Sequence, residues 1–178
     1  MQIAICHYQF EAIHPFLDGN GRIGRLLIPL MLYERKFLPF PVLYISGYFE
    51  KNRDEYYSRL NNVSKKSEWV EWIKFFLNAL ENQAISTKDK LFKMENLYEK
   101  NKAIMIQINS IYAIELLDII FSKPIITYNS VKDRINASPQ TIYNLIDKFC
   151  KANILKETHG KKRNKSYIFK DLLDLIKA

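Results

Sequence analysis

The sequence predicts a mainly α-helical protein with one small β-hairpin near its C-terminal end. Apolar residues make up 48% of the chain, and glycine (5 residues) and proline (6 residues) are scarce, which is typical of a folded helical protein and excludes a fibrous or disordered one. Most apolar residues recur at spacings of three and four, the period of a helix with one buried face. Only residues 154–157 and 167–169 have a β-like pattern.

The net charge of +8 is concentrated in the second half of the chain. Residues 91–178 contain 15 Lys and Arg against 9 Asp and Glu, whereas residues 1–90 contain 12 against 10. A basic excess favours anionic partners such as nucleic acid or a nucleotide, although solvated surface residues account for it equally well. The two cysteines, Cys6 and Cys150, are too few for a disulfide framework or a metal cluster, and no apolar run is long enough to span a bilayer. We therefore expect a cytoplasmic protein without a membrane span.

A first module is predicted at residues 1–82. Its first helix has apolar residues at helical spacing, namely Ile3, Cys6, Phe10 and Ile13. This helix should end at His14, because a proline disfavours helical backbone in the residue before it. After a glycine-rich turn the helical pattern resumes at Arg22.

The rest of the first module is also helical. A loop is predicted at residues 39–47, followed by a helix that begins near Phe49 and runs through Leu60. A strongly amphipathic helix then places its apolar residues at Trp69, Trp72, Ile73, Phe76, Leu77 and Leu80. Residues 83–108 are predicted to form a connecting helix.

A second module is predicted at residues 109–178. A helix over residues 111–121 precedes a short helix that begins at Ser130, with Asp133 completing a capping box. Ser138 and Pro139 mark the start of a third helix, whose inward residues are Ile142, Leu145, Ile146 and Phe149. The β-hairpin and a last short helix follow. This order of elements is that of a winged helix-turn-helix.

The run from His14 to Arg25 combines the parts of a phosphate-handling site. Gly19, Asn20 and Gly21 let successive backbone N–H groups point at one anion, and the turn leads directly into a helix N-terminus. Arg22 and Arg25 lie three residues apart on that helix and suit phosphate oxygens. Asp18 is a hard oxygen ligand for Mg²⁺, and His14 is a proton acceptor near neutral pH. The set predicts phosphoryl or nucleotidyl transfer to a hydroxyl.

His-Pro-Phe-Leu-Asp-Gly-Asn-Gly-Arg-Ile-Gly-Arg, residues 14–25, resembles the signature of the Fic family at every fixed position. Residues 9–13 and 52–57 are also similar to bacterial members of that family that end in a winged helix. The resemblance implies an all-helical Fic-type core that moves AMP from ATP to a Ser, Thr or Tyr hydroxyl of a protein, with Mg²⁺. Other nucleotide or phosphate transfers are close variants.

The resemblance also implies roles for individual residues. His14 would take the proton of the target hydroxyl, and Asp18 would hold the Mg²⁺. Phe16 would be a buried anchor of the loop. Tyr56 would either lie near the adenine or simply pack between helices. The nucleotide would be held by Gly19, Asn20, Gly21, Arg22, Gly24 and Arg25.

Family members with such a C-terminal module carry an N-terminal half, with leading helices and a β-hairpin flap that aligns the target, and this sequence begins just before the motif. An autoinhibitory Ser/Thr-x-x-x-Glu-Gly/Asn segment is also not found in it. We therefore expect weak activity of this chain alone, and exposed apolar surface that favours self-association or a partner chain.

A second hypothesis is a DNA-associated regulatory or docking protein with an inactive Fic remnant. The outward face of the third helix of the second module would present Gln140, Thr141, Asn144 and Lys148. The wing would add Lys161, Lys162, Arg163 and Lys165. Because the catalytic motif is complete, the enzyme hypothesis is favoured. Mg·ATP binding and duplex binding by the purified chain distinguish the two hypotheses.

Overall fold

The computed structural model describes residues 1–158 and 165–177, and the chain divides into two compact units, residues 1–89 and 90–178. Each unit has its own apolar core. The prediction of a mainly helical protein is confirmed. Over the described ranges, no helix has both the length and the apolar composition needed to cross a membrane.

The helices of the first unit are α1 (Gln2–Ile13), α2 (Asn20–Glu34), α3 (Ser46–Lys51), α4 (Arg53–Lys66) and the first part of α5 (Trp69–Ile108). The predicted single helix through residues 49–60 is wrong, because Asn52 separates α3 from α4 with φ −115°. The carboxamide of Asn52 donates to the carbonyl of Tyr48 at 2.9 Å, a local bond that competes with helix continuation.

The buried face of α1 differs from the prediction. Ile3 is buried as expected, but Cys6 and Ile13 are exposed, and Ala4 and His7 are buried instead. His7 can replace an apolar residue because both of its ring nitrogens have hydrogen-bond partners inside the unit. An apolar period in the sequence therefore located the helix but not its inward face.

The N-terminal part of α5 closes this core. Trp72 and Phe76 are buried as predicted, whereas Leu77 is 47% exposed. The indole N–H of Trp72 donates to the carbonyl of Ala4 at 3.0 Å, which attaches α5 to α1. Because this tryptophan is fully buried, it is a core residue and not a binding platform.

The second unit continues with the rest of α5, then α6 (Ala113–Ser122), β1 (Ile125–Thr127), α7 (Tyr128–Lys132), α8 (Pro139–Lys151), β2 (Lys156–Glu157), β3 (Ser166–Ile168) and α9 (Lys170–Lys177). The sheet has the order β1-β3-β2 and is antiparallel, with Ile125 opposite Ile168 and Glu157 opposite Tyr167. The predicted hairpin corresponds to β2 and β3. Strand β1 was not predicted, because three residues are too few to show the alternation of apolar and polar residues that is typical of a strand.

Two local signals in this unit had different outcomes. The cap at Ser138 is confirmed, since its hydroxyl accepts the N–H of Thr141 at 3.2 Å. The helix start at Ser130 is wrong, because Thr127 is the N-cap of α7 and Ser130 forms the capping box with it. The four residues predicted to face inward on α8 are all buried, namely Ile142, Leu145, Ile146 and Phe149.

Candidate active site

The loop between α1 and α2 is bounded by two residues with left-handed backbone. His14 ends α1 with φ 52° and ψ 57°, and its N–H donates to the carbonyl of Phe10 at 3.0 Å. Gly19 precedes α2 with φ 84°, a conformation that favours glycine because it has no Cβ. The chain therefore reverses within six residues and brings residues 14–19 to the N-terminus of α2.

Asn20 holds this loop in place. Its side-chain oxygen accepts the N–H of Phe16 at 2.9 Å, and its side-chain nitrogen donates to the carbonyl of Phe16 at 2.6 Å. Asn20 is 2% exposed, whereas Phe16 is 50% exposed. The prediction that Phe16 is a buried anchor is therefore wrong: its backbone is held, and the buried side chain is that of Asn20.

The ring of His14 is exposed, and a neighbouring carbonyl group indicates which ring nitrogen carries the proton. Nδ1 lies 3.3 Å from the carbonyl oxygen of Glu11, which only accepts hydrogen bonds, so Nδ1 carries the proton. The lone pair of Nε2 is then free to accept a proton. The geometry suits a general base at the exposed end of α1.

Asp18 and Arg22 form an exposed pair at the start of α2. Their closest side-chain atoms are 3.3 Å apart, with 93% of the Asp18 side chain and 76% of the Arg22 side chain exposed. The other Asp18 oxygen accepts the N–H of Gly19 at 2.6 Å. The described residues contain no cluster of three metal-binding side chains. Proteins usually bind Mg²⁺ through one or two carboxylates, with phosphates and water as the other ligands, so the accessible Asp18 carboxylate is compatible with the predicted Mg²⁺ site.

Arg25 lies along the first turn of α2, over Gly21. A Cβ added to Gly21 would be 3.1 Å from a terminal guanidinium nitrogen of Arg25. The guanidinium could not occupy this place beside a larger residue without shifting. Gly21 therefore contributes space for Arg25 in addition to an accessible backbone.

Gly24 is a helix-packing residue. It is buried, and a Cβ there would clash with Oε1 of Glu11 and lie 3.1 Å from the ring of Phe10 on α1. Among the buried side-chain polar atoms described, Oε1 of Glu11 is the only one without a hydrogen-bond partner. Burial raises the pKa of Glu11, while the charges of Arg25 and His14 act in the opposite direction. The structure thus places Gly24 against α1; its predicted nucleotide contact remains a prediction.

A buried hydrogen-bond chain connects α1, α2 and α4. Nδ1–H of His7 donates to the carbonyl of Gly24 at 3.0 Å, and Nε2 of His7 accepts the hydroxyl of Tyr56 at 2.9 Å. Burial lowers the pKa of His7 to about 4 and raises the pKa of Tyr56. Tyr56 is 3% exposed, so the structure favours its packing role between helices.

A cavity of about 510 Å³ lies beside Arg22 and Arg25, within the size range of small-molecule sites. Of the other predicted site residues, only Tyr56 lines it. The remaining lining residues are Leu26, Pro29, Leu43, Tyr44, Ile45, Ser46, Phe49, Glu50, Arg53 and Tyr57. Sequence reasoning missed Arg53 and Tyr57, whose guanidinium and ring centroid are 5.6 Å apart. Arg53 and Tyr57 are four residues apart on a polar helix, so their side chains are neighbours, and this spacing could have identified them from the sequence.

The candidate DNA-contacting residues of α8 differ in their surroundings. Gln140 and Asn144 are exposed and hydrogen-bonded to each other at 2.9 Å. The hydroxyl of Thr141 lies 2.8 Å from that of Ser138, within the helix cap. Lys148 donates from Nζ to the carbonyls of Ile108 and Asn109 at 2.7 and 3.3 Å, so it caps the end of α5.

The predicted wing is described only at its edge. Lys165 is exposed and pairs with Glu157 on β2 at 3.0 Å. This ion pair links the two sides of the hairpin. The other three predicted wing residues lie outside the described residues, namely Lys161, Lys162 and Arg163.

Comparison with known proteins gives matches to the part of the chain that contains this site. Residues 1–32 match the profile of the Fic/DOC family. A Fido domain-containing protein of Dictyostelium discoideum is 45% identical over 60 residues, which cover 26% of this chain and 41% of that protein. A protein adenylyltransferase of Caenorhabditis elegans is 42% identical over 74 residues, which cover 39% of this chain and 13% of the relative. A probable protein adenylyltransferase of Aquifex aeolicus is 39% identical over 61 residues, covering 34% of this chain and 17% of the relative. The matches thus span less than half the length of each relative.

Proposed function

Residues 1–32 match the profile of the Fic/DOC family, and we propose that the chain transfers AMP from Mg-ATP to a Ser, Thr or Tyr hydroxyl of a target protein. Two of the relatives are named protein adenylyltransferases. The observation that carries the proposal is the arrangement at the start of α2, where Arg22 and Arg25 line a cavity large enough for a nucleotide. The exposed carboxylate of Asp18 and the free Nε2 of His14 belong to the same loop.

In the proposed reaction, the target hydroxyl oxygen attacks the α-phosphorus of ATP. A bond forms between that oxygen and phosphorus, the bond from the α-phosphorus to its bridging oxygen breaks, and pyrophosphate leaves. The hydroxyl proton moves to Nε2 of His14. The N–H groups of Asn20 and Gly21 stabilise the charge on the α-phosphate, because they lie at a helix N-terminus. The N–H of Gly19 joins them when it exchanges its bond with the Asp18 carboxylate for one with phosphate.

Arg22 and Arg25 hold the β- and γ-phosphates. Charge-assisted bonds from a guanidinium to phosphate are about twice as strong as neutral ones. Asp18 would bind Mg²⁺ together with those phosphates, and the ion would neutralise part of their charge. Arg22 exchanges its contact with Asp18 for phosphate when the nucleotide enters.

We also propose that residues 109–178 form a winged helix-turn-helix. The order α6, β1, α7, α8, β2 and β3 supports this, as does the three-stranded antiparallel sheet that β1 completes. A DNA-associated protein with an inactive catalytic remnant is the second candidate function. The exposed amide pair on α8 is the observation in its favour.

The position of the radioactive label in ATP tests the proposed transfer. The purified chain is incubated with Mg²⁺, a cell lysate, and ATP labelled at either the α- or the γ-phosphate. Label from the α-position alone should appear on protein, and Arg22→Ala should reduce it. Transfer of γ-label would instead indicate phosphoryl transfer. If calorimetry detects no Mg·ATP binding, the assigned phosphate site is wrong.

A further inference from the structure

The two sides of α8 have opposite character. One side belongs to the apolar core of its unit, with Ile142, Leu145 and Ile146 at most 2% exposed. The other side exposes Gln140, Tyr143 and Asn144 to solvent. Such a helix, preceded by the short helix α7, has the placement of a recognition helix in a helix-turn-helix protein.

Gln140 and Asn144 act as one unit because they are hydrogen-bonded to each other. The side-chain nitrogen of Gln140 donates to the side-chain oxygen of Asn144 at 2.9 Å. This bond uses the side-chain nitrogen of Gln140 and the side-chain oxygen of Asn144. The oxygen of Gln140 can still accept a hydrogen bond, and the nitrogen of Asn144 can still donate one. If both amides were turned around, the pair would still present one acceptor and one donor, so the pattern does not depend on that assignment.

This donor and acceptor pattern matches adenine in the major groove. Adenine presents the acceptor N7 beside the donor N6, whereas guanine presents two acceptors, N7 and O6. We propose that α8 enters the major groove of duplex DNA and that the Gln140–Asn144 pair recognises an adenine. The inference rests on the proposed winged helix-turn-helix of residues 109–178 and does not depend on AMP transfer.

The surroundings of the pair are compatible with an anionic backbone. The one acidic residue on α8, Asp147, is neutralised by Lys151 at 2.7 Å. The ring of Tyr143 stacks on that of Tyr128 at the start of α7, with centroids 4.5 Å apart and an angle of 10°. This stack joins the two helices at the exposed surface and leaves both hydroxyls as donors for phosphate.

The positively charged contact with the DNA phosphates is assigned to a lysine of α7. Lys132 is exposed near the end of α7, which packs against α8. Lys148 is unsuited to this role because its ammonium group caps α5. Lys132 therefore provides affinity without selecting a base, whereas the amide pair provides selection.

Selection from a duplex library with a randomised centre tests the inference, followed by fluorescence anisotropy with the selected 20-base-pair duplex. The full chain should bind at low salt and prefer A·T over G·C at one position. Gln140→Ala/Asn144→Ala should reduce that preference by about 5- to 150-fold, the range for a lost bidentate base contact. Gln107→Ala is the matched control, because Gln107 is an exposed amide residue on α5, and it should leave the preference for A·T unchanged.

Lys132→Ala should weaken binding to every duplex by a similar factor, and the slope of log K against log salt should decrease by about 1. Lys177→Ala on α9 is its control. The inference is overturned if the chain binds no duplex at low salt, or binds all sequences equally. It is also overturned if the double variant keeps the full preference. Melting temperatures establish that each variant is folded.

Discussion

The side chain of Asn20 is hydrogen-bonded at both ends to the backbone of Phe16, at 2.9 and 2.6 Å. These two bonds close the loop that carries Asp18 and Gly19 onto the first turn of α2. The asparagine of the motif thus has a structural contribution that is separate from the proposed phosphate binding by its backbone N–H.

Asn20→Ala should therefore loosen the loop. Both bonds to the Phe16 backbone are lost, and each contributes about 0.5–1.5 kcal/mol to stability. We expect a lower free energy of unfolding and faster hydrogen exchange at the Phe16 amide. Asn82→Ala is the control. The Asn82 side chain lies on the exposed side of α5 and bonds only to the carbonyl of Asn78, one turn earlier in the same helix. Equal effects of the two substitutions would contradict the assignment.

His14→Ala should abolish transfer without changing Mg·ATP binding. Removal of a general base lowers a rate by about 10²- to 10⁴-fold, and His14 does not line the cavity. The measurements are labelled AMP transfer and calorimetry on the same samples. A matching loss of ATP affinity would indicate that His14 binds the nucleotide instead.

Alanine at two glycines of α2 should give opposite results. Gly24→Ala places a methyl group against Glu11 and Phe10, and overpacking of this kind costs about 1–3 kcal/mol of folding free energy. Gly21→Ala instead displaces the end of the flexible Arg25 side chain, so it should weaken Mg·ATP binding with little loss of stability. Urea unfolding and calorimetry on both variants separate the effects. The assignments are wrong if the two glycines behave alike.

His7 should make the first unit less stable in mild acid. Burial lowers the pKa of His7 from 6.5 to about 4, so the unfolded state takes up a proton at a higher pH than the folded state. Stability is full above pH 6.5 and decreases as pH falls towards 4, by about 2 kcal/mol between pH 6.5 and 5. His7→Gln removes this titration, and the difference in unfolding free energy between the two proteins should shrink over that interval. A constant difference would contradict the buried neutral state of His7.

Signals between residues close in sequence predicted several features correctly. Pro15 ended α1 at His14, Ser138 capped α8, and the spacing of the inward residues of α8 gave its buried face. These features depend on backbone geometry and bonds within one or two turns. The motif of residues 14–25 also pointed to one loop and one helix start, because all its members are neighbours in the chain.

Other features were decided by contacts between distant residues. Ser130 was the predicted start of α7, but pairing of β1 with β3 places Thr127 at the strand end that precedes the helix, and Thr127 is the N-cap. Lys148 was predicted to belong to an exposed recognition face, but its ammonium group donates to the carbonyls of Ile108 and Asn109 at the end of α5.

Local sequence signals specified the helical class, the helix termini at His14 and Ser138, and the chemical groups available in residues 14–25. Contacts between distant residues decided which side of α1 is buried and placed the Tyr56 ring in the core beside His7. His7 belongs to the core only because Gly24 and Tyr56, 17 and 49 residues away, satisfy its two nitrogens. A polar side chain becomes a stable core residue when the fold supplies its partners, and no local period records where those partners will be.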